Sequence, residues 1–377
     1  MSRSTLHFLK TLDITLLIPV LLIVVSGLLT MSSFQGDDIY FAKQGIWILV
    51  SLAMFFFVSS FEYRFLKQTR VVVVLYCIML SILMLLFALG HVSKGAESWF
   101  RFGGFAFQPS DLMKLTLIIV LAKYFSRRHI EIANIRHIIV SFRYALVPFV
   151  LVVLQPDFGS AMILLSIWFG LVLVSGISKT HFAIVLAIGT ISFLIAWNFI
   201  FKPYQKARII NFINPLQDIR GSGYNAYQST IAVGSGGLTG KGLGFGTQSR
   251  LNFLPEYKTD FIFAAFAEEW GFLGSILLLA CFGIILFKLA SYALVANSTF
   301  EALFTYGVLV WFVSHIVINI GMNVGIMPVT GIPLPFMSYG GSHLLAESIA
   351  LGMCFAMKKY SQGGHKYQVN NEFVGLE

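Results

Sequence analysis

Long apolar runs constrain this chain more than any other feature. A transmembrane helix needs about 20 mostly apolar residues, because the hydrocarbon core of a bilayer is about 30 Å thick. Seven runs have this length: 12–33, 44–63, 70–90, 181–201, 260–288, 302–325 and 341–358. Three further segments are less uniform: 110–126, 137–154 and 158–176. The pattern predicts an all-α integral membrane protein with about ten transmembrane helices, some of them broken, in a single polytopic domain over 1–377.

The composition supports a membrane protein and excludes several other classes. The chain is 57% hydrophobic and 11% charged, whereas soluble domains carry about 25% charged residues. The basic residues lie between apolar runs rather than in one patch, so the net charge of +9 does not indicate a nucleic-acid surface. Cys77, Cys281 and Cys354 lie inside apolar segments without CxxC spacing, which argues against disulfides and zinc.

The distribution of lysine and arginine predicts the orientation. If both termini are cytoplasmic, fifteen of the 26 lysines and arginines fall on inner segments and four in or beside short outer ones. This bias follows the positive-inside rule. It makes 202–259 a large extracytoplasmic loop between helices 7 and 8. The loop holds the remaining cations: Lys202, Lys206, Arg208, Arg220, Lys241, Arg250 and Lys258.

Part of this loop, 221–246, is rich in glycine. It contains nine glycines but matches neither the Walker pattern nor GxGxxG, so no nucleotide site is predicted. Tyr224, Tyr227 and Phe245 among the glycines favour an ordered loop over a flexible linker. Its backbone amides and cations are suited to hold a phosphate or pyrophosphate. The alternative is surface charge in contact with solvent and lipid headgroups.

Three carboxylates mark the helix that follows the loop. Asp260 lies at the start of the helix, where Thr259 or Asp260 can serve as an N-cap in the simplest alternative. Glu268 and Glu269 lie two turns deeper, where a charge costs about 2.5–3.5 kcal/mol on an insertion scale. We therefore expect the two glutamates to face a protein-lined or wet cavity, or to pair with cations.

Other polar residues indicate the same cavity. They are Asp111 and Lys114 at i, i+3; Asp157 in the helix-breaking "QPDFGS"; Asn319 and Asn323 at i, i+4; and Ser338 and Ser342 at i, i+4. The proline-containing segment 328–335 adds irregular backbone, which is tolerated at membrane depth only where it is buried or lines a cavity. A purely structural Asp111–Lys114 pair remains an alternative. Glu347 either belongs to this cavity or, in the simpler interpretation, is a lone glutamate at an interface.

Five stretches resemble the SEDS family (shape, elongation, division and sporulation), specifically its RodA-like branch of peptidoglycan glycosyltransferases. They are "KGAESWFRFGGFAFQPSDLMKL", "QPDFGSA", "YQKARIINFINP", "GYNAYQSTIAVGSGGLTGKGLGFGTQSRLNFLPEYKTDFIFAAFAEEWG" and "NIGMNVGIMPVTGIPLPFMSYGGS". The resemblance implies polymerisation of lipid II with release of polyprenyl pyrophosphate, as required for rod shape. It also implies ten transmembrane helices in the bacterial cytoplasmic (inner) membrane and an active site on the outer face.

The resemblance also implies roles for individual residues. The essential aspartate of the family falls on Asp260, and a family glutamate position holds Asp111, one methylene shorter. Ser98 and Lys206 stand where arginines are common, whereas Arg208 matches. We predict Asp260 as the catalytic residue and substrate contacts from Lys114, Asp111, Lys206, Arg208, Lys241, Glu268, Asp157, Ser338 and Ser342.

The implied chemistry is a single inverting displacement. It needs one base at the acceptor hydroxyl and positive charge at the leaving group, supplied by Lys and Arg or by a Mg²⁺ or Mn²⁺ ion near Asp260. The activated donor supplies the energy, so no nucleotide is expected. The resemblance implies a class B penicillin-binding protein, a transpeptidase, as partner, together with other elongation-complex proteins.

Two other functions are compatible with parts of the pattern. Broken helices and buried acids also suit a flippase or transporter of lipid II. Such a protein needs polar access from both leaflets, whereas the polar residues here lean to the outer side. A non-catalytic scaffold that docks a cell-wall enzyme would not require intramembrane acids.

Overall fold

The structure is a computed structural model that describes residues 13–33, 38–89, 91–93, 96–102, 105–127, 135–199, 201–214, 222–251 and 253–371. Within these residues it has thirteen α-helices, one 3₁₀ helix at Tyr63–Lys67 and three strands. The helices are α1 Ile14–Ser32, α2 Asp38–Ser59, α3 Thr69–Leu89, α4 Pro109–Ser126, α5 Ile135–Leu154, α6 Phe158–Val174, α7 Lys179–Phe199, α8 Pro203–Ile213, α9 Ser222–Ser235, α10 Thr247–Arg250, α11 Ile262–Leu294, α12 Thr299–Asn323 and α13 Gly341–Asn371. The strands are β1 His91–Ser93, β2 Ala96–Phe102 and β3 Phe105–Phe107.

The helical membrane architecture is confirmed. Seven of the described helices, α1, α2, α3, α5, α7, α11 and α12, are long and apolar enough to cross a membrane. The other three predicted spans form α4, α6 and α13. Helix α6 has only 17 residues, and α4 and α13 carry ionisable side chains that lower their apolar content. The sequence also missed a small antiparallel sheet, in which β2 pairs with both β1 and β3.

The packing places α4 at the centre of the bundle. Helix α4 contacts α3, α5, α6, α12 and α13, and most of its residues are buried. Asp111 and Lys114 on this helix are therefore surrounded by protein on every side. In contrast, α7 has no buried residue and lies at the periphery.

The glycine-rich segment docks into a break in α11. At Gly271 the helix backbone turns to φ 67° and ψ −164°, which leaves backbone groups without helical partners. The segment supplies partners on both sides of the break. Lys241 and Gly242 N–H donate to the Glu268 and Glu269 carbonyls at 3.0 Å each, and Phe272 and Leu273 N–H donate to the Gly237 and Leu238 carbonyls at 2.9 and 3.1 Å.

This docking explains two of the glycines. A Cβ on Gly240 would lie 2.1 Å from the Glu269 carbonyl oxygen, and one on Gly271 would lie 2.2 Å from the Gly240 nitrogen. The described residues of 221–246 are therefore ordered, as predicted, and α9 lies within this loop. Helices α8 and α10 lie elsewhere in the longer segment 202–259. Here the glycines allow one backbone to approach another.

A Gly271→Ala substitution should destabilise the protein. The φ/ψ values of Gly271 belong almost only to glycine, and such strain costs about 1–3 kcal/mol before the clash with Gly240 is counted. Gly283→Ala on the same helix is the matched control, because a Cβ there meets nothing within 4 Å. That change should instead stabilise by about 0.8–1.0 kcal/mol. Thermal unfolding of both purified variants tests the difference, and equal shifts would contradict it.

At one end of the bundle, Asp13 gathers basic and hydroxyl groups. Lys358 Nζ lies 2.8 Å from the carboxylate, Lys288 Nζ lies 3.4 Å from it, and the Tyr292 hydroxyl donates to it at 2.8 Å. Burial alone would raise the pKa of Asp13. Hydrogen bonds from Lys358, Thr15 and Tyr292 outweigh burial and hold that pKa well below its usual range.

The depressed pKa of Asp13 gives a stability contribution with a defined pH range. It is fully present above the unfolded-state pKa of about 3.9 and is lost as pH falls toward the folded-state pKa. We expect Asp13→Asn to lower the melting temperature by a constant amount between pH 7 and 5. The difference in melting temperature between wild type and Asp13→Asn should narrow below about pH 4. A gap that widens on acidification would contradict this assignment.

Candidate active site

The backbone just before α11 is held by the end of α12 and by the chain segment that follows it. Three successive carbonyls accept hydrogen bonds. Tyr339 N–H donates to Lys258 O at 2.9 Å, the Ser338 hydroxyl to Thr259 O at 2.6 Å, and the Asn319 and Asn323 side-chain amides to Asp260 O at 3.0 Å each. The main chain of Asp260 is therefore fixed by residues that lie elsewhere in the sequence, on α12 and on the segment after it.

Neither Thr259 nor Asp260 caps α11, so that alternative is wrong. The N-cap is Phe261, without a side-chain hydrogen bond, and Asn323 Oδ1 accepts the Ala264 N–H at 3.1 Å instead. A residue on α12 thus satisfies one of the donors at the start of α11. The position of the Asp260 carboxylate is not set by capping.

The Asp260 carboxylate lies against the irregular backbone at Thr330–Gly331, where the left-handed φ of Gly331 turns the chain. Gly331 has a φ of 75°, and a Cβ placed on it would lie 3.4 Å from Asp260 Oδ2. Arg208 from α8 approaches the same turn, and its Nη1 donates to Thr330 O at 3.4 Å. The turn therefore brings together a carboxylate and a guanidinium that are 52 residues apart in the sequence.

A cavity of about 220 Å³ adjoins this turn and reaches Arg208. Asn211, Asn225 and Tyr227 contribute polar groups to its wall, and the remainder is largely apolar. The cavity therefore presents one cation and several hydrogen-bonding groups next to the backbone at Thr330–Gly331, which the Asp260 carboxylate also approaches. Lys206, also on α8, is placed differently, with its ammonium 5.9 Å from the Trp197 ring centre.

Asp157 lies at a helix break, as predicted, but its oxygens have partners within the protein. It is the N-cap of α6, where Oδ1 accepts the Ser160 N–H at 3.0 Å. Its Oδ2 accepts the Gln108 side-chain amide at 2.8 Å. In this structure Asp157 joins α6 to the start of α4, and its predicted contact with substrate stays a prediction.

Asp111 and Lys114 form a buried pair on α4. Lys114 Nζ lies 3.0 Å from Asp111 Oδ1, and each side chain is at most 3% exposed. The Ser342 hydroxyl donates to Asp111 Oδ2 at 3.1 Å, and His343 Nδ1 is 3.5 Å from Oδ1. Two residues of α13 thus reach the short Asp111 side chain.

Ser338 and Ser342 do not share a helix face, contrary to the prediction. Helix α13 begins at Gly341, so Ser338 lies in the irregular segment before it. Ser338 holds Thr259, whereas Ser342 holds Asp111. The i, i+4 spacing is helical only where all five residues belong to one helix.

Lys241 and Glu268 are brought together and bind each other. Lys241 Nζ lies 2.8 Å from Glu268 Oε1, and the Glu268 side chain is fully buried. Backbone N–H groups of Thr247, Gln248 and Ser249 also donate to this carboxylate, at 2.7, 3.0 and 3.3 Å. Glu268 therefore anchors the glycine-rich segment to α11.

Some predicted residues lie outside this description, and others were missed. The side chain of Ser98 and the whole of Arg220 fall outside the described part of the structure. Sequence analysis overlooked His315 and His343 and underrated Glu347, although all three are buried. The sequence did carry a signal for them, because ionisable residues are unusual in apolar helices. His343 and Glu347 are also four residues apart on α13.

Comparisons with known proteins extend over nearly the whole chain. The sequence profile of a family described as "Cell cycle protein", comprising FtsW, RodA and SpoVE, matches residues 5–363. Stage V sporulation protein E of Bacillus subtilis (strain 168) is 34% identical over 369 residues, 93% of this chain and 98% of that protein. Peptidoglycan glycosyltransferase MrdB of Escherichia coli (strain K12) is 33% identical over 347 residues, which are 92% of this chain and 93% of that protein.

Two solved structures have a similar fold. A chain from a study of how a peptidoglycan synthase complex coordinates polymerization and crosslinking superposes with a TM-score of 0.80. It is 29% identical, with coverage of 93% of this chain and 98% of that one. The rod shape determining protein RodA of Thermus thermophilus gives a TM-score of 0.70 at 29% identity, with coverage of 93% and 97%.

Proposed function

This chain belongs to the RodA-like branch of the FtsW, RodA and SpoVE family of cell cycle proteins, and we propose that it polymerises lipid II into glycan strands during cell elongation. It is an enzyme of the peptidoglycan glycosyltransferase class, the activity named for its E. coli relative. One observation carries the finer proposal. Asp260, fixed through its backbone, lies with its carboxylate beside the turn that Arg208 also contacts.

The proposed reaction is an inverting displacement. The 4-hydroxyl oxygen of an acceptor GlcNAc attacks the anomeric carbon of the donor, while the bond from that carbon to the pyrophosphate oxygen breaks. Asp260 accepts the hydroxyl proton, and polyprenyl pyrophosphate departs with the bonding electrons. One positioned base suffices, unlike the carboxylate pair of glycoside hydrolases. Arg208 stabilises the negative charge that develops on the leaving group.

A divalent cation fits this arrangement if the substrate pyrophosphate supplies part of its ligands. The described residues hold no group of three or more His, Cys, Asp or Glu side chains suited to a metal. Mg²⁺ commonly takes one or two protein carboxylates and completes its shell with substrate phosphates and water. Asp260 is the residue that would hold it, and the ion would supply positive charge at the pyrophosphate.

The membrane setting and the partner belong to the same proposal. The chain is a multi-pass membrane protein. We place both termini in the cytoplasm and the Asp260 site on the outer face of the cytoplasmic membrane, from the lysine and arginine bias. A class B penicillin-binding protein is the proposed partner. This is supported by the structural neighbour from a complex that couples polymerization to crosslinking.

Polymerisation of purified lipid II tests the proposal. The protein, alone and with its transpeptidase, should convert lipid II into glycan strands that separate by length on a gel. Mg²⁺, Mn²⁺ and a chelator form separate arms for the cation. A transporter of lipid II would leave the length unchanged while moving substrate across vesicle membranes. Transport without any polymer would reject the proposed function.

A further inference from the structure

The first turns of α13 present three buried polar side chains to α4 and α12. Ser342 and His343 approach Asp111, and His343 Nε2 lies 2.7 Å from Glu347 Oε1. The distance is that of an ion pair, but the two atoms do not form a hydrogen bond. Within the described residues, neither atom has another hydrogen-bond partner. The His343 and His315 rings stack with centres 4.9 Å apart. Together with Lys114 these residues form a buried ionic cluster.

Charge balance defines the state of this cluster. With Asp111 and Glu347 ionised and Lys114 protonated, the cluster would hold two negative charges and one positive charge. An uncompensated buried charge is strongly destabilising, so the set balances when His343 carries a proton between the two carboxylates. His315 can remain neutral, with Nδ1 3.1 Å from the Pro333 carbonyl oxygen.

Glu347 also reaches out of the cluster. Its Oε2 accepts the backbone N–H of Phe336 at 2.9 Å, and its side chain is fully buried. Phe336 has φ 60°, an unfavourable conformation for a bulky residue that must be held by its surroundings. The carboxylate therefore stabilises the irregular segment at its most strained point.

Two residues after Phe336, Ser338 of the same segment holds the backbone just before Asp260. The Ser338 hydroxyl accepts Leu334 N–H at 2.8 Å and donates to Thr259 O at 2.6 Å, next to Asp260. A continuous path thus runs from the Asp111–Lys114 pair through His343, Glu347, Phe336 and Ser338 to the backbone of Asp260. Every link except the His343–Glu347 ion pair and the long His343–Asp111 contact is a covalent stretch or a hydrogen bond.

We infer that Glu347 is a positioning residue for catalysis. Its carboxylate fixes Phe336 and thereby the register of Ser338 against Thr259, which sets where the Asp260 carboxylate stands. This inference rests on the proposed function, since it assigns Asp260 as the base. It extends that function to a residue that acts through the backbone of Phe336.

Three variants separate positioning from general destabilisation. Glu347→Leu removes the acceptor for Phe336 N–H, whereas Glu347→Gln keeps an oxygen there. The double variant His343→Leu/Glu347→Leu removes the acceptor without leaving an unpaired imidazolium, and such apolar replacements of buried ion pairs often fold well. Glu301→Gln is the matched control, because Glu301 pairs with Lys67 at 2.9 Å far from this path.

Two measurements are required. In lipid II polymerisation, Glu347→Leu and the double variant should lose about tenfold or more in kcat, with KM within about twofold. Glu347→Gln and Glu301→Gln should stay within about threefold of wild type. In hydrogen exchange, the peptide 258–262 should exchange about fivefold faster in the two acceptor-free variants only, at unchanged melting temperature for the double variant.

The outcomes are distinguishable. Wild-type kcat and wild-type exchange of 258–262 in the double variant would overturn the inference and leave the proposed function intact. A protein that never polymerises lipid II would reject the proposed function, while the exchange result would still decide whether Glu347 holds this loop. Faster exchange over the whole chain would show a structural role alone and would also overturn the inference.

Discussion

Asp260→Asn is expected to abolish polymerisation of lipid II while leaving the fold intact. The substitution keeps the size and shape of the side chain but removes its basicity. Loss of a positioned general base costs about 10²–10⁴-fold in rate. The measurement is the initial rate of glycan-strand formation by purified protein at saturating lipid II.

The structure gives a reason to expect an intact fold. Asn319 and Asn323 bind the backbone carbonyl of Asp260, and Asn323 also accepts the N–H of Ala264 at the start of α11. None of these contacts uses the carboxylate. Asparagine keeps these backbone contacts and the size of the side chain, so the melting temperature of Asp260→Asn should match that of wild type. Lost activity would then report on chemistry.

Glu256→Gln is the matched control for this prediction. Glu256 lies four residues before Asp260 in the same loop, and its Oε2 accepts the Thr259 hydroxyl at 3.2 Å. Glutamine retains an oxygen for that bond, so the variant should polymerise at nearly the wild-type rate. A wild-type rate from Asp260→Asn would remove Asp260 as the base, and equal losses in both variants would indicate a loop defect.

The sequence predicted those parts of the fold that depend on bulk hydropathy. Apolar runs located all ten long helices, because burial in lipid requires apolar residues at nearly every position. The break at Gly271 was not predicted, since it arises where a segment some 30 residues earlier inserts between two half-helices. Gly240 and Gly271 permit this close approach, but a glycine in the sequence does not show which backbone will approach it, so the break could not be located.

The candidate site was predicted in its members but only partly in its geometry. The i, i+4 spacing placed Asn319 and Asn323 on one face, yet nothing in the spacing shows that both amides converge on the Asp260 carbonyl. Glu268 was predicted to face a protein-lined or wet cavity, or to pair with a cation. Its environment consists of Lys241 and three backbone N–H groups. A buried acid indicates that partners exist and leaves their identity open.

The Asp111–Lys114 pair provides the second large effect. Removing one partner of a buried ion pair leaves the other charge uncompensated and costs about 3–5 kcal/mol. Asp111→Leu and Lys114→Met should each lower the midpoint of thermal unfolding strongly, because both side chains are at most 3% exposed. The double variant should recover most of that loss, since apolar replacement of a whole buried pair is often neutral.

Activity in the double variant decides what the pair does. If Asp111 and Lys114 contact substrate, as predicted, polymerisation should stay low although stability returns. If the pair only holds α4 against α13 through Ser342 and His343, activity should return together with stability. The experiment therefore compares melting temperature and polymerisation rate in the same four proteins. Recovery of both properties in the double variant would contradict a substrate-binding role and assign the pair to packing.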